Sequence, residues 1–149
     1  FEDKGNIGIH ICYDLWFPET ARALAVAGAE LIINPTMTPT KDREIETVMV
    51  QATAAQQQCY YVDINGSGEQ GVGKSLICDF EGSIMDKANH ENKILEAEID
   101  FDKVKEARKY GFMGLGQPIK SFRDNPFNPL NYMNKDYLDS LGDLKKDKK

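Results

Sequence analysis

The run Ile7-Gly8-Ile9-His10-Ile11-Cys12-Tyr13-Asp14-Leu15-Trp16-Phe17-Pro18-Glu19 changes character twice. A β-rich apolar segment stops at a cysteine, and a helix begins almost at once with Pro18 in its first turn. Proline is favoured there, because its missing N–H would have no intrahelical partner anyway. A thiol at such a bend lies near unpaired backbone N–H groups and the positive end of a helix dipole. Both favour the thiolate, which is the nucleophilic form. Taken alone, Cys12 also fits a buried core position, the usual fate of a free cysteine.

Outward from the bend, strands and helices alternate. Residues 7–11 read as a strand buried on both faces. Residues 18–27 read as a helix with Ala21, Leu24, Ala25 and Gly28 on one stripe, and Gly28 ends it. Leu31, Ile32 and Ile33 form a short buried strand that Pro35 stops. A long helix is expected over 41–57, with Ile45, Val48, Met49, Ala52 and Ala55 facing inward and Arg43, Glu46 and Thr47 facing outward. Strands follow at 60–64, 76–80 and 83–85, the last two joined by a Glu81-Gly82 turn. Another strand is expected with Leu95, Ala97 and Ile99 on one face. Asp100 or Asp102 then caps a short helix that stops at Gly111. The pattern is α/β.

The string Cys12-Tyr13-Asp14-x-x-Phe17-Pro18-Glu19 after an apolar strand resembles the nucleophile region of the nitrilase, or carbon–nitrogen hydrolase, superfamily. Ala29-Glu30-Leu31-Ile32-Ile33-Asn34-Pro35 resembles that family's next strand, and Gln58-Cys59-Tyr60-Tyr61-Val62-x-x-Asn65-Gly66 the following helix exit and strand. Gly73-x-Ser75-x-Ile77-x-Asp79-x-Glu81-Gly82 and Ile94-Leu95-x-Ala97-Glu98-Ile99-Asp100 resemble its closing strands. One departure is visible: Thr53 and Gln56-Gln57 stand where many members carry an Arg and a Glu-Asn pair. The resemblance implies a four-layer α-β-β-α sandwich, two sheets face to face with helices outside. The cysteine strand lies near the middle of such a domain. Residues 1–110 are therefore expected to be its C-terminal half, followed by an arm and a lysine-rich, solvated tail over 111–149.

The family's chemistry uses a cysteine nucleophile, a glutamate proton shuttle and a lysine, acting on non-peptide C–N bonds of small amides or nitriles through a thioester. Only the cysteine maps here, as Cys12. The resemblance assigns the glutamate and lysine to the N-terminal half. By position, the Tyr13 backbone N–H is the expected oxyanion donor. Glu19 is expected near the substrate, although it also suits the first turn of a helix and a pair with Arg22. Asp14 is open to the same two readings. No cofactor or metal is implied. The alternative is a non-catalytic fragment or assembly subunit that keeps the fold without a complete site.

Other residues compete for roles. His10 and Cys12 share a strand face, as a Cys–His dyad would, but same-face neighbours stand roughly 6–7 Å apart, too far for a direct hydrogen bond. Packing is the expected role of His10. Cys59 and Cys78 sit among apolar residues and read as core. Gly68-Glu69-Gln70-Gly71-Val72-Gly73-Lys74-Ser75 matches the phosphate-binding pattern G-x-x-x-x-G-K-[ST] letter for letter. That pattern needs a following helix, whose N-terminus holds the phosphates. Leu76 to Gly82 reads instead as strand and turn, so nucleotide binding is rejected.

Bulk properties describe a soluble globular protein. The 149 residues carry a net charge of −6, which argues against nucleic acid as a partner. No apolar run approaches the roughly 20 residues that span a bilayer, so no membrane association is expected. The 3 cysteines have no C-x-x-C spacing, which suggests neither a disulfide framework nor a zinc site, and a cytoplasmic location is expected. Beyond Gly111 the chain is too aromatic for a free linker. Phe112, Phe122, Phe127 and Tyr132 suggest an arm packed on this domain or on a second subunit. With it, the family resemblance implies a homodimer or higher homo-oligomer, filaments included.

Overall fold

Parallel neighbours in a sheet need a crossover, and the two long helices supply them. The structure is a computed structural model that describes residues 5–68 and 71–144. Its strands, β1 (Ile7–Ile9), β2 (Leu31–Thr36), β3 (Tyr60–Asn65), β4 (Leu76–Cys78) and β5 (Ile84–Lys87), form one five-stranded sheet in sequence order. β1, β2 and β3 run parallel through α1 (Pro18–Val26) and α2 (Asp42–Gln57). β4 and β5 return antiparallel. The fold is the expected nitrilase-like α/β class, and the described residues make one of its β layers.

Both crossover helices cover the same sheet face. Ala21 of α1 and Val50 and Ala54 of α2 pack with Leu15 onto Ile32, Tyr61, Leu76 and Cys78. Gly8 allows the close approach of α1, since a Cβ there would stand 3.1 Å from both the Ala29 Cβ and a Leu24 methyl. Gly28, at φ +105°, lets the chain leave α1 for β2. The opposite face gathers Leu31, Tyr60, Ile33, Val62 and Ile99 against Val104 of α3 (Phe101–Tyr110). Of the two caps the sequence offered, Asp100 caps α3, accepting from the N–H groups of Asp102 and Lys103.

This second face is only partly covered. Ile9 and Ile11 remain 64% and 66% exposed. Each Å² of apolar surface left in water forgoes about 25 cal/mol, so a second layer laid on this face is strongly favoured.

Two expectations are corrected. Most of the expected inward stripe of α2 faces outward: Ile45 and Val48 are 52% and 62% exposed, whereas Arg43, Glu46, Val50, Ala54 and Gln57 are buried, and of the expected residues Met49 packs against the core. The first turns of α2 lie over polar strand ends, Asn34 and Asp63, which reward a buried cation there over an apolar chain. The second correction concerns residues 95–99. Leu95, Ala97 and Ile99 are half-buried and alternate with exposed glutamates, yet no strand pairs with them among the described residues.

Beyond Gly111 the arm contains α4 (Pro118–Asp124), a 3-10 turn (Pro129–Tyr132) and α5 (Lys135–Ser140). Phe122 brings α4 against α1, with the Arg22 guanidinium 5.6 Å from its ring centre. Most other apolar arm residues are exposed, Leu115 to 86%. The expected lysine tail from Lys145 lies outside the described residues.

Arg108 fastens α3 to the crossover helices. Its guanidinium donates to the Ala29 carbonyl at 2.6 Å and to the Gln57 and Gln58 carbonyls at 3.1 Å. Gln58 itself is the left-handed C-cap of α2, and its side-chain amide donates to the Ala107 and Gly116 carbonyls. Arg108→Ala leaves three half-buried carbonyls without their donor. It is expected to lower unfolding free energy by about 2–3 kcal/mol, read from the urea midpoint at unchanged slope.

Candidate active site

The register of the sheet brings the chemistry-bearing residues together. Ile9 pairs with Ile33, so continuing the parallel ladder by three residues sets Cys12 opposite Thr36, which in turn pairs with Asn65. Cys12 opens a 3-10 turn, Cys12–Trp16, closed by reciprocal bonds: Asp14 N–H donates to the Ile11 carbonyl and Ile11 N–H to the Asp14 carboxylate at 2.9 Å. Asp14 thus fixes the bend. The Cys12 backbone lies at φ +52°, a region that side chains other than glycine's and asparagine's seldom enter. Such strain concentrates at functional sites, where the surrounding structure enforces it.

The Cys12 side chain is half-buried, and its sulfur lies within hydrogen-bond reach of the Thr36 hydroxyl, Oγ1 to Sγ 3.4 Å. Tyr13 N–H, in the first turn of the 3-10 helix, meets no protein acceptor among the described residues. An anion beside Cys12 could take it. Glu19 is exposed and lines a different feature, a groove of about 490 Å³ between α1 and the arm, with Arg22, Phe122 and Phe127. Cys12 does not line that groove. The expected Glu19–Arg22 pair is absent; Arg22 instead donates to the Gln56 carbonyl at 3.3 Å.

His10 is buried, and its Nδ1 lies 2.9 Å from the Tyr61 hydroxyl. No hydrogen bond joins it to Cys12 among the described residues, so the geometry is that of a packed histidine and not of a dyad. Cys59 and Cys78 are fully buried, and burial pushes both thiols up to about 12. After Lys74 and Ser75 the chain enters strand β4 and not the helix that the phosphate-binding pattern requires. Glu69 and Gln70 of that loop lie outside the described residues.

Sequence reasoning missed the polar layer beneath Cys12. Arg43 is 1% exposed and forms ion pairs with Asp63 and, at 3.3 Å, with Glu46, while donating to the Lys74 carbonyl at 2.8 Å. Asn34 donates to the other Asp63 oxygen at 2.7 Å. Burial pushes the Asp63 carboxyl above its ordinary value, and the Arg43 charge and the Asn34 bond oppose that shift. Glu46 accepts from the Trp16 indole N–H and the Thr38 hydroxyl, both at 3.1 Å. Asn65 holds the Thr38 backbone from both sides and reaches the Gly73 carbonyl at 2.8 Å. Among the described residues no cluster of three or more His, Cys, Asp or Glu side chains is arranged to hold a metal ion.

Sheet order, crossovers and the strand-to-helix cysteine bend define an α/β protein of the nitrilase type. The sequence model of the carbon-nitrogen hydrolase family matches residues 2–109, and the chain belongs to that family. It is 34% identical to an (R)-stereoselective amidase of a Pseudomonas species, over 70% of this chain and 40% of that protein. The crystal structure of Saccharomyces cerevisiae Nit3, a nitrilase-superfamily member, superposes with a TM-score of 0.63 at 27% identity, covering 69% of this chain and 40% of Nit3. An amidase from Nesterenkonia, described with the acetamide moiety of fluoroacetamide covalently added at its active-site cysteine, gives 0.54 at 26% identity, covering 57% and 34%. The chain thus spans well under half the length of these relatives. No described helix is long and apolar enough to cross a membrane.

Burial lowers the proton affinity of His10 below its ordinary value of 6.5, against the pull of the Asp14 carboxylate. Below 6.5 the unfolded chain therefore binds a proton that the folded protein refuses, and stability falls as pH drops. Urea unfolding at pH 7.5 and 5.5 checks this. The native protein is expected to lose stability between them, and His10→Gln to lose less; equal losses assign the effect elsewhere.

Proposed function

We propose that the protein hydrolyses the C–N bond of a small non-peptide amide, with Cys12 as nucleophile. The observation that carries this reading is the strained Cys12 backbone beside the unclaimed Tyr13 N–H. In the proposed reaction the Cys12 thiolate attacks the carbonyl carbon and a C–S bond forms. The carbonyl electron pair moves to oxygen, where Tyr13 N–H can meet it. Collapse expels ammonia or an amine, which takes up a proton as it leaves. Water then adds to the thioester, the C–S bond breaks, and the acid departs. The amidase names of relatives support an amide over a nitrile.

The reading assigns the proton shuttle and the cationic partner to a glutamate and a lysine outside these residues, as the family resemblance implies. Cys12→Ala in the natural full-length protein is expected to abolish ammonia release from amide substrates, with an unchanged melting temperature. Undiminished turnover would remove Cys12 from the reaction. A natural full-length sequence without the glutamate and lysine motifs would favour the non-catalytic alternative.

The same reading includes self-association through the arm. Its support is the exposed apolar surface of residues 112–141 and the apolar groove that Phe122 and Phe127 form with α1. Deleting residues 117–149 is expected to lower the mass measured by light scattering to a smaller assembly. A truncated protein of native assembly size rules the arm out as an assembly element.

A further inference from the structure

The hydroxyls between Cys12 and the buried charges have too few protons to satisfy every contact at once. Thr36 Oγ1 lies 3.4 Å from both Cys12 Sγ and Thr38 Oγ1, and Thr38 Oγ1 lies 3.1 Å from a Glu46 carboxylate oxygen. Each hydroxyl carries one proton, and a carboxylate can only accept. The charge-assisted bond is the stronger one, so Thr38 donates to Glu46. Thr38 then presents only lone pairs to Thr36. That leaves Thr36 with a single proton and two acceptors at equal distance, Thr38 Oγ1 and Cys12 Sγ.

The state of the sulfur decides between them. A Cys12 thiol can donate to Thr36, which passes its own proton toward Thr38, so the whole row points at Glu46. A Cys12 thiolate has nothing to donate, and the Thr36 hydroxyl turns by rotation about one bond to donate to sulfur. The same turn meets the thiolate again when the thioester C–S bond breaks and its electron pair stays on sulfur. Glu46 cannot drift, because the Trp16 indole and Arg43 hold both of its oxygens. Trp16 belongs to the Cys12 turn, so one carboxylate aligns both the nucleophile's bend and the Thr36–Thr38 strand exit.

We propose that Thr36 is a further catalytic residue, the rotating hydroxyl that stabilises the Cys12 thiolate. Glu46 is its positioning residue, which acts by committing the Thr38 proton. This rests on the reading of Cys12 as nucleophile, but it is tested without the amide reaction. The probe is iodoacetamide, whose carbon bonds to the Cys12 thiolate as iodide leaves, the thiol proton having gone to buffer. Peptide mass analysis follows Cys12 alone, in the natural full-length protein, as a function of pH.

Thr36→Val is expected to slow alkylation at pH 7 about tenfold and to move the midpoint of the profile to higher pH, as for loss of one bond to a charged sulfur. Thr36→Ser restores the native profile. Thr36→Ala provides the same comparison if valine disturbs the strand. Glu46→Gln slows alkylation by a smaller factor, and in the Thr36→Val background it adds nothing, because it acts through Thr36. Native profiles in both Thr36→Val and Thr36→Ala overturn the proposal, even if turnover falls, since Thr36 would then serve substrate and not sulfur. Full additivity of Glu46→Gln overturns the positioning role. A shifted profile in a protein that hydrolyses no amide supports the Thr36 assignment and removes the proposed reaction instead.

Discussion

A guanidinium cut off from water must find its partners within the protein, and Arg43 sets that condition for the whole site end of the sheet. Its partners come from three directions: Glu46 one turn further along α2, Asp63 on β3, and the Lys74 carbonyl from the loop before β4. Removing Arg43 leaves two buried carboxylates uncompensated, which typically costs several kcal/mol. The seating of α2 over the strand ends is therefore fixed by charge pairing, where the rest of the helix relies on Val50 and Ala54 packing on the sheet. From Glu46 the constraint passes to Trp16 and Thr38, and so to both segments that flank the cysteine.

The sequence carried the fold's order well. The place of β1, the bend at Cys12 and the proline-led α1 with its Ala21–Ala25 stripe were readable, and the cap of α3 was narrowed to Asp100 or Asp102, because each depends on neighbours in the chain. Burial of β1 on both faces was misread, since Ile9 and Ile11 are exposed. What depended on distant partners was not readable. The inward face of α2 was largely misread because Ile45 and Val48 look like core until Asn34 and Asp63 are known to lie beneath Arg43. Residues 95–99 have strand alternation, but pairing requires an edge to pair with. Thr36 gave no signal either; its approach to Cys12 follows from the β1–β2 register, which a linear pattern does not contain. The left-handed backbone at Cys12 had no glycine to announce it.

Family departures acquire a physical sense in this light. Thr53 and Gln56-Gln57 stand where the family resemblance implies an Arg and a Glu-Asn pair, and Gln57 is buried without charge. The buried charges of α2 lie in its first turns, at Arg43 and Glu46. The late turns are secured instead from outside, by Arg108 and the left-handed Gln58 cap. Charge pairing and capping thus divide one helix between them, the first serving the site and the second serving the junction with the arm.

The left-handed backbone at position 12 also bears on how inactive forms of the protein should be made. Alanine keeps a Cβ, so it keeps the conformational penalty that the Asp14-closed turn imposes on the native cysteine. Glycine relieves that penalty in the folded state but gives the unfolded chain more freedom to lose. A glycine variant therefore relaxes the bend that a substrate would meet, whereas an alanine variant preserves its shape. For capturing an intact amide against an undistorted site, the less comfortable residue is the better choice.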